Sequence, residues 1–151
     1  MPVHSVIITS IDGNLLFSKY FDRKLLSSKE ETQKFERMIF IQTEKYWDKQ
    51  TGLQCITMMG DIHVIFQMIG ELRLFLCGID DTDELILQEL LTTVLSLLEE
   101  HLENRFTQTS LLVPDNYGKL CVSLDDMLPD GIVETLDVDT IMKMSKLKPF
   151  I

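Results

Sequence analysis

Several features that usually reveal a protein's chemistry are scarce or missing in this sequence. It has three cysteines, Cys55, Cys77 and Cys121, which form no CxxC pair, and their odd number argues against a closed disulfide framework. Charged or polar residues interrupt every apolar stretch well before membrane-spanning length, and no secretory signal pattern begins the chain. The sequence therefore predicts a cytoplasmic protein whose thiols are free and buried.

Basic residues are also scarce. The chain has 14 lysines and arginines against 24 aspartates and glutamates, which gives a formal net charge of −10 and a pI near 4.6. Nucleic acids and the anionic cytoplasmic leaflet both favour basic protein surfaces. We therefore expect no nucleic-acid partner, and contact with a membrane only indirectly, through other proteins.

The sequence motifs of common enzyme classes are absent. There is no GxxxxGKS or GxxxxGKT, no GxGxxG after a strand, no GxSxG and no HExxH. His4, His63 and His101 fall on a strand start, a mid-strand position and a helix, with no cysteine at ligand spacing. Ordinary core or surface histidines are therefore favoured over a zinc site. We expect no catalytic residue, no cofactor-binding residue and no metal ligand.

Two acidic segments have simple structural interpretations. Residues 80–84 lack the alternating acidic positions and the central glycine of a calcium-binding loop, and carboxylates are favourable at the positive N-terminal end of a helix. Asp125 and Asp126 are adjacent, and adjacent residues on a helix do not face each other. A solvated, interface-facing pair near the helix end is therefore favoured over a general acid–base pair at these two positions.

The composition fits one compact domain, because 151 residues that are 45% apolar can bury a substantial core. We place this domain at residues 1–151. A β-branched run at 3–9 and an apolar run at 15–21 flank the turn residues Asp12-Gly13-Asn14. This pattern predicts that the chain opens with a β-hairpin.

A helix and three further strands are predicted next. Ser28 and Glu31 form a capping-box pattern, and apolar residues then recur at helical spacing until about Trp47. Three short apolar runs separated by glycine–acid turns predict an antiparallel meander at 53–59, 62–69 and 72–77. These strands are apolar on both faces, so we expect helices on both sides of the sheet.

The leucine-rich stretch at 83–104 is the strongest helical signal in the chain. Thr82 is a plausible N-cap, and the apolar face is so wide that the helix should be buried on more than one side. The remaining segments are predicted as a loop at 105–116 around Pro114, a helix at 117–128, a break at 129–131 and a short helix at 138–146. The element order predicts an α+β fold, an α/β/α sandwich with a five-stranded antiparallel sheet.

Two segments resemble a known family. Residues 11–21, IDGNLLFSKYF, resemble the first hairpin of the small subunits of heterotetrameric coat and adaptor complexes, namely clathrin-adaptor sigma and coatomer zeta. Residues 116–127, NYGKLCVSLDDM, followed by DGIVET at 130–135, are similar to the C-terminal helix of the same subunits and its continuation. The glycine-turn spacing matches coatomer zeta better than a typical sigma chain, and the small subunit of the TPLATE/TSET endocytic complex would also fit.

The resemblance implies a longin-like fold and a non-catalytic function in protein transport or endocytosis. It also implies partners: a large subunit, held through its N-terminal helical solenoid, and a medium subunit, on coated vesicles of the Golgi, endosome or plasma membrane. By the register of the motif, a pocket for acidic dileucine cargo signals would involve Asn116, Tyr117, Leu120 and Val122. The family usually has an arginine in its second strand to meet the signal's acidic residue, and Leu15 stands at that position here.

Two alternatives remain open at this point. A longin- or roadblock-type scaffold for a small GTPase or a vesicle-tethering complex could share the sheet and helices, although such scaffolds usually lack the region at 116–135. A small enzyme with a composite site has no sequence feature in its favour. Neither the particular coat complex nor the membrane compartment follows from the sequence.

The sequence has more apolar positions than its predicted elements can cover. Both faces of the meander and most of the helix at 83–104 need cover, while the other C-terminal helices are short. Contiguous apolar surface beyond a few hundred Å² usually marks an interface. We therefore expect the domain to depend on a large partner, and we assign most of its eight methionines to the core.

Overall fold

A computed structural model of the chain describes residues 3–21, 28–47, 54–79, 84–134 and 136–147. The strands are β1 Val3–Ser10, β2 Leu15–Tyr20, β3 Cys55–Met59, β4 Ile62–Ile69 and β5 Leu72–Ile79. The helices are α1 Lys29–Trp47, α2 Glu84–Leu102, α3 Gln108–Leu112, α4 Pro114–Met127 and α5 Val138–Leu147, with a 3₁₀ turn at Pro129–Gly131.

The five strands form one antiparallel sheet with the order β2-β1-β5-β4-β3, which confirms the predicted sheet. The first strand is therefore an interior strand, because it pairs with both β2 and β5. Gly60 and Gly70 occupy the predicted tight turns of the meander with φ of 60° and 57°, a backbone region that strongly favours glycine. The hairpin β1–β2 contains a bulge between Ile8 and Thr9.

Among the described helices, α1 alone covers one face of the sheet. The backbone N–H of Glu31 donates to the Ser28 hydroxyl at 3.1 Å, so the predicted N-cap is present. The helix buries Phe35 and Ile39, four residues apart, and these pack with sheet residues that share the same face. Those sheet residues are Ile7, Val64, Phe66, Phe75 and Cys77.

Helix α2 lies on the opposite face and is buried around most of its circumference. It contacts β4 and β5 on one side and α4 and α5 on others, which confirms the prediction that it is covered on more than one side. Its buried residues are Leu87, Leu90, Leu91, Thr93, Val94, Leu95, Leu97, Leu98, His101 and Leu102. Residue 82, the predicted cap, lies outside the described residues, as do 80, 81 and 83.

The predicted loop at 105–116 is wrong in part. It contains α3, whose N-cap Thr107 accepts a hydrogen bond from the Ser110 backbone N–H at 3.1 Å. Helix α4 also begins at Pro114 rather than at Tyr117, because proline is well tolerated in a first helical turn, where its missing N–H has no partner to lose. Helix α2 ends at Leu102, two residues earlier than predicted.

The early end of α2 has a backbone cause. Glu103 and Asn104 adopt φ of 52° and 62°, so they have left the helical region. The Asn104 backbone N–H nevertheless donates to the Glu99 carbonyl at 3.1 Å, which satisfies one of the last carbonyls of the helix.

Candidate interaction surfaces

The predicted cargo-signal residues all lie on α4. The Asn116 amide donates to the Ser110 carbonyl at 2.8 Å and so holds the corner between α3 and α4. The Tyr117 ring lies 5.1 Å from the Phe17 ring at an angle of 58°, which joins α4 to β2. Tyr117 is half-buried, and burial raises the pKa of its hydroxyl, with a smaller contribution from Cys121.

The structure brings three of the four predicted residues to one side of α4. At about 100° per residue, Asn116 and Tyr117 lie within about 60° of Leu120, whereas Val122 lies about 160° away from it. Leu120 is 1% exposed and belongs to the main core, while Val122 is half-buried. The pocket stays a prediction, and a ligand could reach Leu120 only if neighbouring side chains moved.

Leu15 lines a different groove, between the first hairpin and α1. Its side chain is 47% exposed, and the groove of about 390 Å³ also contains Arg37 and Phe40 from α1. Arg73 lies close to this position, because Thr9 pairs with both Leu15 and Arg73 across the sheet. The Arg73 guanidinium carbon is 5.0 Å from the centre of the Phe40 ring.

These two arginines cannot be found from the sequence pattern. Neither one is in the second strand, and only the strand register and the position of α1 bring them near Leu15. Arg37 is exposed, whereas Arg73 is only 7% exposed. The described lining therefore contains one positive charge, Arg37, beside the carboxylates of Asp12 and Glu36, and the second strand lacks the arginine that the resemblance leads us to expect.

The acidic pair on α4 is divided between two environments. Asp125 is exposed, and its carboxylate accepts from the Lys19 ammonium at 2.6 Å, which joins α4 to β2. Asp126 is only 6% exposed. The prediction of a solvated pair is therefore right for Asp125 and wrong for Asp126, because adjacent residues on α4 point in directions about 100° apart.

The three histidines lie in three separate places. His4 is buried between the rings of Tyr20 and Phe35, and His63 Nδ1 lies 3.4 Å from a carboxylate oxygen of Glu84. His101 lies between α2 and α4. Within the described parts of the chain, no group of three histidine, cysteine, aspartate or glutamate side chains is placed to hold a metal ion.

His101 joins two helices inside the core. Its Nε2 lies 2.8 Å from the Ser123 hydroxyl of α4, and the residue is 6% exposed. Burial lowers the pKa of His101 to about 4, the Lys119 ammonium contributes to this lowering, and Asp115 opposes it. At neutral pH the imidazole is therefore uncharged.

An apolar groove runs between α1 and the β3–β4 hairpin, and we call it the methionine groove. It encloses about 530 Å³ and is formed by the apolar residues Phe35, Met38, Met58, Met59 and Ile62. Met38 is 50% and Met58 49% exposed, so neither belongs to the core as expected for most methionines. Ile41, one turn along α1 from Met38, is 63% exposed and extends this apolar surface.

The two edges of the sheet differ. At the β2 edge, Lys19 is paired with Asp125 and α3 contacts the strand. Strand β3 has no charged residue or proline and, among the described strands, pairs with β4 alone. Edge strands are usually protected by charges or by a covering element. The methionine groove therefore lies beside the less protected edge.

Negative charge is concentrated in the second half of the chain. Residues 84–147 contain 12 acidic and 4 basic side chains, a net charge of −8, whereas α1 contains 4 of each and is neutral. No helix in the described part of the chain is long and apolar enough to cross a membrane. The α2–α5 layer is thus acidic, and the α1 layer is neutral and partly apolar.

Comparisons with known proteins point to one family. The family model described as clathrin adaptor complex small chain matches residues 2–148. The TSET complex member tstD of Dictyostelium discoideum is 24% identical over 147 residues, covering 97% of this chain and 93% of that protein. Coatomer subunit zeta-3 of Oryza sativa subsp. japonica is 28% identical over 143 residues, covering 93% of this chain and 77% of that protein.

Two further comparisons agree with these. Human coatomer subunit zeta-1 is 25% identical over 146 residues, covering 97% of this chain and 77% of that protein. A chain in a homology model of the full-length AP-3 complex in a stretched open conformation superimposes with a TM-score of 0.68 at 15% identity, covering 96% of this chain and 92% of that one. The fold is therefore that of a known coat-complex subunit.

Proposed function

The chain belongs to the clathrin adaptor complex small chain family, and from this premise we propose that it is the small subunit of a heterotetrameric coat or adaptor complex in vesicle transport. The observation that carries the proposal is the family match over nearly the whole chain, including the C-terminal region that longin and roadblock scaffolds usually lack. This function is therefore favoured over the scaffold alternative.

We propose that the chain works by binding and not by catalysis. Its buried polar groups serve the fold: His101 and Ser123 join α2 to α4, and the Tyr20 hydroxyl donates to Glu36 of α1 at 2.7 Å. Its exposed apolar residues are available for partners, notably Met38, Met58 and Ile41 beside β3. A large subunit and a medium subunit are the partners that the family membership supports.

The charge of the chain favours indirect contact with membranes. With a net charge of −10, an anionic membrane surface would repel it. We propose that it reaches coated vesicles of the Golgi, endosome or plasma membrane through the other subunits of its complex. Recognition of cargo signals by the residues on α4 is a separate prediction, because Leu120 lies in the core.

Affinity purification from the native cytosol tests the proposal. A tagged chain should recover one set of two large subunits and one medium subunit in equal amounts. A set related to TSET and a set related to coatomer would be distinguished by mass spectrometry. Recovery of a small GTPase or a tethering complex in place of such a set would contradict the proposal.

A further inference from the structure

The sheet separates two apolar cores of very different size. Of the described residues, 22 form the buried core on the side of α2, α4 and α5, whereas seven form the buried core under α1. Five of these seven belong to the sheet itself, and Phe35 and Ile39 are the described contribution of α1. Helix α2 has the same length of 19 residues and buries eight apolar side chains. The α1 layer is therefore held by much less apolar burial than the opposite layer.

The remaining contacts of α1 add little to this attachment. The Tyr20 hydroxyl donates to Glu36 at 2.7 Å and so joins β2 to α1. Thr43 is also buried, but its hydroxyl donates to the Ile39 carbonyl of the same helix at 2.8 Å. The apolar side chains of Met38 and Ile41 are 50% and 63% exposed, so they contribute little to the core. Helix α1 is thus attached along one narrow line of residues.

The sheet can keep its place without α1. Strands β1, β5 and β4 are all interior strands, and α2 packs against β4 and β5 from the other side. These strands also contribute side chains to the large core, namely Val6, Ile8, Ile65, Leu72, Leu74 and Leu76. If α1 leaves the sheet, the small core is lost, while the large core and the strand pairing remain.

We propose that α1 is a separable layer, which lifts from the sheet as a unit in the native protein while the sheet and the α2 side stay folded. Segments with few buried apolar contacts open at a lower free energy than the whole protein, and they often do so as cooperative units. The opened chain is a second conformational state, and a partner that contacts α1 would shift its population. The inference concerns the fold of this chain and does not depend on which complex it joins.

Cys77 lies under α1 and can report this opening. It belongs to β5, is 0% exposed, and shares the small core with Phe35 and Ile39. Burial raises the pKa of its thiol to about 12, and a hydrogen bond with Ser5 partly opposes this effect. Because the thiolate is the reactive form, a thiol reagent modifies Cys77 only when an opening exposes it.

Thiol labelling of the full chain at increasing urea concentrations tests the proposal. Cys55→Ser and Cys121→Ser leave Cys77 as the only thiol. A control chain also carries Cys77→Ala and Val94→Cys, since Val94 is completely buried on α2 in the large core.

The thiol of Cys77 should be labelled at least about tenfold faster than the control thiol, because opening α1 costs less than unfolding the whole chain. Its rate should also depend more weakly on urea, because opening exposes less surface than unfolding. Equal rates with equal dependence on urea would overturn the proposal.

Two matched substitutions provide an independent readout. Tyr20→Phe removes the hydroxyl that binds Glu36, and Ile141→Val removes one methylene from α5, where Ile141 is completely buried in the large core. Tyr20→Phe should speed the labelling of both thiols by about fivefold, because its hydrogen bond is absent from the opened and the unfolded chain alike.

Ile141→Val should speed the labelling of the control thiol by about fivefold and leave that of Cys77 within about twofold, because α5 stays folded when α1 lifts. A parallel acceleration of Cys77 by Ile141→Val would show that α1 does not open separately. An unchanged rate for Cys77 with Tyr20→Phe would likewise contradict an opening of α1.

Discussion

His101 is a residue whose buried environment changes its charge in the acid range. Its imidazole is buried between α2 and α4 and contacts the Ser123 hydroxyl at 2.8 Å. Burial, which opposes charge, and the nearby Lys119 ammonium lower its pKa to about 4 from the ordinary value of 6.5. A group that is kept neutral in the folded protein but titrates freely in the unfolded chain makes stability depend on pH.

We predict that His101 destabilises the fold as the pH falls from 6.5 to 4. Above pH 6.5 the imidazole is neutral in both states; below it the unfolded chain takes up the proton first, so unfolding becomes more favourable. The free energy of unfolding should fall by about 3 kcal/mol in full, since each unit of difference between the folded and unfolded pKa corresponds to about 1.4 kcal/mol. Urea unfolding of wild type and His101→Gln at several pH values measures it.

The His101→Gln variant isolates this residue from the carboxylates that also titrate in acid. Glutamine can still hydrogen-bond to Ser123 but takes up no proton. The difference in unfolding free energy between wild type and variant should narrow or reverse in favour of the variant as the pH falls. A difference that is constant between pH 7 and pH 4 would contradict the prediction.

Leu15 gives a second prediction at this scale. Because leucine cannot pair with a carboxylate, the assembled complex should bind an acidic dileucine peptide and its acid-to-alanine counterpart with affinities within about twofold of each other. With Leu15→Arg, the complex should bind the acidic peptide about tenfold more tightly than the alanine peptide. This ratio corresponds to about 1.4 kcal/mol, which one charge-assisted hydrogen bond can supply. Fluorescence anisotropy with the two peptides measures both.

The same peptide measurement also tests whether Arg37 takes the place of the missing arginine. Arg37 lines the same groove and is exposed, so it is the obvious substitute for the missing charge. If the wild-type complex already prefers the acidic peptide, the prediction for Leu15 is wrong. If Arg37→Gln then removes that preference, Arg37 is the residue that binds the acidic side chain of the peptide.

Among the elements, the two turns of the β3–β4–β5 meander form a natural matched pair. Gly60 and Gly70 have nearly equal φ, 60° and 57°. A Cβ at Gly60 would meet nothing within 4 Å, whereas one at Gly70 would lie 2.6 Å from Cβ and 2.7 Å from the carbonyl oxygen of Phe106. The second turn is therefore pressed against the segment between α2 and α3.

We predict unequal costs for the two alanine substitutions. Gly60→Ala should lower the free energy of unfolding by about 1–2 kcal/mol, the cost of the left-handed backbone for a residue with a Cβ. Gly70→Ala should lose roughly a further 1–3 kcal/mol, because the backbone of Phe106 cannot move away freely. Thermal unfolding of the two variants side by side checks this, and equal losses would contradict it.

The sequence predicts elements well where local chemistry decides them. Glycine turns and alternating strands identify the meander, and Ser28 identifies the start of α1. Prediction fails where a short element depends on tertiary contacts, as with α3, whose five residues carry no long apolar period and whose Leu111 is buried against other elements. Helix α4 begins earlier than predicted because Pro114 acts as a first-turn residue and not as a helix breaker.

The candidate surfaces are less predictable than the fold. The methionine groove combines α1 with the β3–β4 hairpin, and no spacing in the sequence shows that Met38 and Met59 line one groove. Arg37 and Leu15 likewise share a groove only because the hairpin packs beside α1. The residues on α4 are identified through a resemblance, and their function as a pocket stays a prediction.

On the scale of the whole molecule, the two helical layers differ in both charge and cover. Residues 84–147 carry a net charge of −8, and α1 carries none. The exposed apolar residues Met38 and Ile41 belong to the neutral side. The neutral side is therefore suited to lasting contact with another subunit, and the acidic side to solvent or to basic surfaces.

We predict that the isolated chain is much less stable than the chain in its complex. An obligate interface should bury roughly 2,000 Å² or more in total, and burial contributes about 25 cal/mol per Å² of apolar area, so even part of it is large beside a net stability of about 5–15 kcal/mol. Thermal unfolding and light scattering should show early melting or aggregation of the chain alone. An unchanged melting temperature after co-expression with the large subunit would contradict this.

The interior position of β1 has a consequence for the synthesis of this protein on the ribosome. Val3–Ser10 leaves the ribosome well before one of its two neighbours, because Leu72–Ile79 begins 62 residues after Ser10. At about 5–20 residues per second, the nascent hairpin waits roughly 3–12 s before the β5 side of Ile7 and its apolar neighbours is paired. Chaperones that bind nascent chains should therefore contact the first hairpin during that interval and release it once β5 has emerged.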